Sequence, residues 1–365
     1  MAYPYTETGY NMFDMFSMMQ KAIRRGIYND AGFAACQLKT TYRTAMWNRI
    51  IVVSAEDCYG IVTKEIVALR NEDKKRPDDN NIGRAIALLC RGWKSRDACY
   101  FSCNFVLSSR NPREIDVSRE EIEDLLQNTT NQDERIYDMS GFAQLSMFGN
   151  DEDDETSEFD VARIGAEMQK AIKHRDMDSA GYRVDLLRKD HRDELWSYLN
   201  DYADGTVAEH EIVALKSADE IVNRNKGEKD EIFIAKACMI LMYMQDERFE
   251  DKTANEIIDC HDNIDWSEYD IKPIGECSLK NNKIPEWVYD CHTLKGKKLG
   301  KTDWDMTVTE QKALYPLLRG YFDEASWIYT YEDDYKNGVE DEISMRPIRE
   351  YAKTHEANPV EYLPY

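Results

Sequence analysis

At 365 residues and 42.6 kDa the chain has enough material for two or three compact regions, each burying its own core. Hydrophobic residues make up 42% and charged residues 32%, which places most of the chain in the globular rather than the disordered range. A net charge of −23 excludes a surface that is wholly a phosphate-binding platform, because Lys and Arg drive such binding, but it leaves room for a local basic patch.

The cysteines number nine, an odd count with no C-x-x-C pair, and Cys36, Cys90 and Cys238 sit among apolar neighbours, so reduced thiols are expected. Met1 to Glu7 lacks the basic start and apolar core of a signal peptide, and no run of about 18 apolar residues exists to span a bilayer. The expectation is an intracellular protein, cytoplasmic or nuclear, or one delivered into a host cell by a virus. Secretion and membrane insertion are not expected.

In chain order, Pro4 and Gly9 mark a tail, and the spacing of Met12, Phe13, Phe16, Met19 and Ile23 predicts a helix with those residues on its apolar face. Arg24-Arg25-Gly26 supplies its end, and Asn29-Asp30 is placed to cap an Ala-rich helix from Ala31 to about Lys39. A third helix, Thr41 to Val53, buries Trp47, Ile50, Ile51 and Val53. Acid and glycine then interrupt the apolar run before a helix Ile61–Leu69. The polar run Arg70–Asn81 reads as a loop containing Pro77, followed by helices Ile82–Trp93 and Lys94–Val106. Asn111-Pro112 opens a connector that holds a short acidic helix, Arg119–Gln127, with Ile122, Leu125 and Leu126 inward. It ends in the acidic run Asp151–Glu155, which reads as a solvated linker.

From Phe159 the chain repeats itself. Met19-Gln20-Lys21-Ala22-Ile23 recurs as Met168-Gln169-Lys170-Ala171-Ile172, and Glu65-Ile66-Val67-Ala68-Leu69 recurs as Glu211-Ile212-Val213-Ala214-Leu215. Met19–Trp47 laid on Met168–Trp196 without a gap gives ten identities in 29 positions, with Ala31-Gly32 on Ala180-Gly181, Arg43 on Arg192 and Trp47 on Trp196. A repeat of this length is one packing unit used twice. The second copy uses helices Val161–Ile172 and Glu231–Met244, the latter matching Ile82–Trp93. Beyond Thr253, Trp266, Pro273, Pro285, Trp287 and Trp304 mark a loop-rich region. The division is therefore 1–110 first helical repeat, 111–158 acidic connector, 159–252 second helical repeat and 253–365 loop-rich C-terminal region. The fold class is all-α.

The order Lys21-Ala22-Ile23-Arg24-Arg25-Gly26, then Asp30-Ala31 opening an Ala-rich helix, then Trp47-Asn48-Arg49-Ile50-Ile51-Val52-Val53-Ser54-Ala55-Glu56-Asp57 with Gly60 behind, resembles the C-terminal helical domain of replication-associated recombination protein A. That family consists of AAA+ ATPases related to clamp loaders, in which this domain is the oligomerisation collar. The resemblance covers about residues 12–110, and the second copy more loosely. It places Arg49, Ser54, Glu56, Asp57 and Gly60 at the family-like turn, where a structural role is expected. The chain has no G-x-x-x-x-G-K-[ST] loop; Gly296-Lys297-Lys298-Leu299-Gly300-Lys301 has the wrong spacing. The resemblance therefore implies a collar-like module without the ATPase.

Adjacent residues on a helix diverge by about 100°, so Glu56 and Asp57 do not readily converge on one ion, and they are expected to cap the next helix or to pair with Arg49. Lys280–Lys301 is the basic island. Its Lys295, Lys297, Lys298 and Lys301, with Trp287 and His292 nearby, form the candidate nucleic-acid contact, since cations interleaved with aromatics suit single strands. The plain alternative is a solvated lysine loop. Cys260-His261, Cys277 and Cys291-His292 fit no standard zinc spacing, so no metal, no cofactor and no catalytic residue is assigned. Cys99 and Cys103, one helical turn apart, read as core or partly exposed thiols.

These readings point to a non-enzymatic assembly or accessory protein of DNA replication, recombination or repair. Its expected partners are further copies of itself, another replication or recombination protein, and single-stranded DNA. The rival is an acidic structural or inhibitory protein that mimics DNA and binds a basic partner; an enzyme with a spatially assembled site comes third.

Overall fold

The computed structural model describes residues 4–59, 62–106, 114–128, 154–244, 264–269, 271–317 and, apart from 333, 334, 337 and 339, residues 331–353. Gly60, Asn111-Pro112, Asp151–Asp153 and Cys260-His261 lie outside the described residues. The fold is mostly helical, and among the described residues no strand forms and no helix is long and apolar enough to cross a membrane.

The first copy comprises α1 (Met12–Arg24), α2 (Tyr28–Leu38), α3 (Arg43–Glu56), α4 (Thr63–Lys75), α5 (Asp79–Arg91) and α6 (Asp97–Phe101), the last running into a π-turn, Ser102–Val106. Residues 119–128 form α7, with Ile122 and Leu125 buried as expected. The second copy comprises α8 (Asp154–Lys173), α9 (Met177–Leu187), α10 (Arg192–Ala203), α11 (Glu209–Asn223) and α12 (Ile232–Tyr243). The described part of the C-terminal region includes α13 (Leu294–Lys298), α14 (Asp303–Lys312) and α15 (Glu342–Ala352).

Several boundaries depart from the sequence reading. α4 continues to Lys75 through residues assigned to a loop, because Asp73 on its inner face is drawn in by Arg43 and Trp47. Helix α2 starts at Tyr28, so Asn29 and Asp30 lie inside its first turn and neither caps it; Asn29 instead bonds the carbonyl of Ser278. On α1 the buried face runs through Met15, Met18, Met19, Ala22 and Ile23, leaving Phe13 52% exposed. Asp154-Glu155, the end of the acidic run, belongs to the first turn of α8.

The copies share geometry as well as sequence. Arg43 grips Asp73 through Nε at 2.8 Å and Nη2 at 2.5 Å while Trp47 Nε1 donates to Asp73 at 2.7 Å. In the second copy Arg192 grips Asp219 at 2.8 and 2.7 Å, and Trp196 Nε1 donates at 2.9 Å. The remaining guanidinium nitrogen of each arginine reaches a second acid, Asp79 at 3.3 Å and Glu231 at 2.7 Å. The first helix ends alike in both. Ile27 N–H and Asp176 N–H reach back to Ala22 and Ala171 at 2.9 Å, around a left-handed residue that is Gly26 (φ 65°) in one copy and Arg175 (φ 58°) in the other.

What covers the second helix differs. A Cβ on Gly32 of α2 would lie 2.7 Å from Cys277 Sγ, whereas one on Gly181 of α9 would lie 2.6 Å from the Phe105 carbonyl carbon. The small residue thus lets a neighbour approach closely in each copy. The first copy is covered by the C-terminal region and the second by the first copy's own π-turn. Helix α12, apolar but for Lys236 and buried along its length, packs against α3, α6, α8, α10 and α11, so one continuous core joins both copies. Across that junction Glu211 of α11 accepts from the N–H groups of Thr63 and Lys64, both at 2.9 Å, and caps α4 from the other copy.

Candidate functional site

The cleft beside α1 and α3 is built on charge. Arg24 is buried and donates through Nε to Asp57 at 2.8 Å and through Nη2 to Glu56 at 3.0 Å, and its Nη1 lies 3.4 Å from Glu310 of α14. Arg25 holds both Glu310 oxygens at 3.0 Å. Lys21 meets Asp290 at 2.7 Å and the carbonyls of Trp287 and Val288 at 3.1 Å. Burial pushes the Asp290 carboxyl up, but Lys21 and the His292 N–H outweigh it and hold the group below the ordinary carboxylate value. The network pins residues 287–310 onto α1, and each acid in it already has a cationic partner.

Glu56 and Asp57 therefore neither cap α4 nor pair with Arg49, and that expectation is corrected. Both face Arg24 and Gln20, because the last turn of α3 packs back against α1. Arg49 is exposed and donates to Gln20 Oε1 at 3.2 Å. Ser54 is buried, bonding the Ile51 carbonyl at 2.7 Å and lying 3.0 Å from the Thr63 hydroxyl. Of the family-like residues, Arg49 and Glu56 reach the cleft, Ser54 and Asp57 lie behind it, and Gly60 is outside the described residues.

The cleft itself, about 580 Å³, is lined by Phe13 and Phe16 on one side and Arg49, Arg96, Lys226 and His292 on others. A neighbouring cavity of about 390 Å³ shares Val52, Glu56 and Asp230 with it and is lined by Cys99, Cys103 and Arg188. Arg96, buried, was passed over in the sequence because nothing in its local pattern marks it. Its Nη2 donates to Cys99 Sγ at 3.2 Å, while Nε and Nη1 have no hydrogen-bond partner.

The basic island is split by the structure. Lys295 pairs with Glu286 at 3.2 Å and lies 3.9 Å from the centre of the Tyr289 ring; Lys301 donates to the Tyr289 carbonyl at 2.8 Å. Lys297 and Lys298 are exposed and make no ion pair with any described residue. Beneath them Gly296 lies so close to Asp290 that a Cβ there would fall 1.8 Å from its carbonyl oxygen, which fixes the loop. Trp287 has Arg25 over its ring at 4.7 Å, so that face is taken, and His292 is exposed. Four lysines acting alike is thus corrected to two free lysines and two tethered ones.

No known protein family, curated protein or solved structure matches the chain. Function must therefore be argued from the site. Among the described residues the group whose ligand atoms converge is Asp290, Cys291 and His292, within 4.8 Å, and Cys277 is not part of it. Each Asp290 oxygen already has a partner, Lys21 on Oδ2 and the N–H of His292 on Oδ1.

Proposed function

We propose that the chain is a non-enzymatic accessory module of DNA replication, recombination or repair that touches a single-stranded nucleic acid through the α13 loop. The observation that carries the reading is the pair Lys297 and Lys298, exposed and without ion-pair partners among the described residues, on a loop fixed by close packing in a chain of charge −23. Free cations on a preorganised backbone suit a phosphate chain better than cations already paired. The assembly role rests on the resemblance of residues 12–110 to a collar domain. The charge network supports a structural use of Glu56 and Asp57, since each is already held by Arg24.

The test is fluorescence anisotropy with a single-stranded oligonucleotide at rising salt. With about 0.7 of a counterion released per neutralised phosphate, contact through Lys297 and Lys298 alone gives a log–log slope near about −1.4, and contact through all four lysines about −2.8. Lys297→Glu with Lys298→Glu is expected to abolish binding. Binding that survives the double change removes the nucleic-acid part of the reading. Absence of any DNA binding together with capture of a basic protein favours the DNA-mimic alternative, which the −23 charge suggests. A monomer by light scattering at micromolar concentration removes self-assembly.

A further inference from the structure

Cys99 lies on α6 and Cys103 in the π-turn that continues it, one turn apart and both on the wall of the 390 Å³ cavity. Cys103 is exposed and Cys99 half-buried. Arg96 Nη2 points at Cys99 Sγ from 3.2 Å, and its Nε and Nη1 lack partners. A buried guanidinium with donors to spare beside a thiol favours a negative charge on that sulfur or on an oxygen added to it. The other charges on the cavity wall are Glu56, 4.0 Å from Arg96, and Arg188, Glu228, Lys229, Asp230 and Glu231. Neither thiol has a role in the proposed function.

We propose that Cys99 and Cys103 form a redox-active dithiol that a hydroperoxide oxidises reversibly, with Cys99 as the attacking thiolate and Cys103 as the resolving thiol. The Cys99 sulfur attacks one peroxide oxygen and the O–O bond breaks. The other oxygen leaves as alkoxide or hydroxide and takes a proton from solvent, leaving Cys99 as a sulfenic acid. Cys103, giving up its proton, then attacks the Cys99 sulfur; an S–S bond forms, the S–O bond breaks, and water departs. Two thiols and one hydroperoxide become a disulfide, an alcohol or water from the peroxide, and one further water; the sulfurs lose two electrons and the peroxide gains them.

The local backbone suits reversibility. Cβ atoms four apart on an α-helix are about 5–6 Å from each other, beyond the roughly 3.5–4.5 Å that a disulfide needs. Closing the bond therefore draws on the π-turn Ser102–Val106, where the regular ladder is already interrupted, and a bond closed under strain is readily reduced. The hydrogen bond from Cys103, joined by the charge of Arg96, brings the Cys99 thiol down to about 7. At pH 7 a lowered thiol carries a larger thiolate fraction than an ordinary one, and the lower nucleophilicity of the weaker base offsets part of that gain.

The experiment uses the full chain carrying Cys291→Ser, which removes the other described thiol beside a potential base, His292 at 3.2 Å. The reduced protein is treated with stoichiometric hydrogen peroxide and analysed by peptide mass spectrometry. The expected result is a Cys99–Cys103 disulfide that dithiothreitol reverses. Adding Cys103→Ser is expected to stall the reaction at a Cys99 sulfenic acid that dimedone traps. Cys99 is expected to react with iodoacetamide at pH 7 a few-fold faster in the folded than in the urea-unfolded chain. Arg96→Gln should remove part of that advantage, since the Cys103 hydrogen bond remains, and Arg96→Lys should keep most of it. Absence of a dimedone adduct in the folded Cys103→Ser chain, or a disulfide pairing other than Cys99–Cys103, overturns the proposal whether or not Arg96→Gln folds.

Discussion

Replacing Asp219 by alanine is the sharpest test of the shared arginine–acid–tryptophan arrangement. The change leaves Arg192, with a side chain 6% exposed, holding Glu231 and the Asp230 carbonyl, and strips the Trp196 N–H and the Asn223 amide of an acceptor. Removing one partner of a buried ion pair costs about 3–5 kcal/mol. An orphaned buried donor costs about 1–3 kcal/mol more, so even with Glu231 retaining part of the charge a loss of about 4 kcal/mol is expected. The equivalent Asp73→Ala should cost less, about 2–3 kcal/mol, because the Arg43 side chain is 22% exposed and water can replace the lost carboxylate. Urea unfolding followed by far-UV circular dichroism measures both, an unchanged slope indicating that the change lies in stability. Pairing Asp219→Ala with Arg192→Met should recover part of the loss, since the stranded charge goes with its partner. If Asp219→Ala costs under about 1 kcal/mol, or less than Asp73→Ala, the argument that this acid neutralises a buried arginine fails.

Arg175→Gly relieves a left-handed residue that its counterpart Gly26 accommodates without penalty, and should raise stability by about 1 kcal/mol in the same unfolding assay. Gly181→Ala drives a methyl into the Phe105 backbone and should cost about 1–3 kcal/mol, more than Gly32→Ala, where the obstacle is the end of the Cys277 side chain; equal losses would count against the proposed difference in cover. For Glu211, burial outweighs its hydrogen bonds from Lys64 and Thr63 and its attraction to Lys236, pushing the carboxyl up to about 7. Because the folded value lies above the unfolded one, this contribution is complete below about pH 4.3 and is lost as pH rises through 7. The urea midpoint of the wild type relative to Glu211→Gln should therefore fall between pH 5 and 8, and a constant difference would refute the assignment while leaving Lys236 out of the comparison.

The helices were legible because their signals are local. Met19–Trp47 and its echo carry apolar spacing, cap residues and a Gly-marked end within one stretch, and the repeat announces itself as identical letters. The charge partners were not legible, because they are distant in sequence and chosen by packing. Nothing near Asp73 says that it belongs to Arg43 and Trp47, so its polar stretch read as a loop. Glu56 and Asp57 found Arg24, 32 and 33 residues away, instead of the nearer Arg49. Lys295 and Lys301 looked as free as Lys297 and Lys298 until Glu286 and the Tyr289 carbonyl claimed them.

What the amino-acid order determined alone is the helical class and the duplication, since both follow from periodicities and identities along the chain. The tertiary structure decided which surfaces the copies hide. Gly32 and Gly181 look equivalent in sequence, yet one meets the C-terminal region and the other the π-turn at Phe105. It also decided which charges are spent, and it aimed one Arg96 donor at Cys99 while leaving two others without partners. The reason is physical: a backbone hydrogen bond in a helix closes over four residues, whereas an ion pair or a close approach is settled only when distant segments meet.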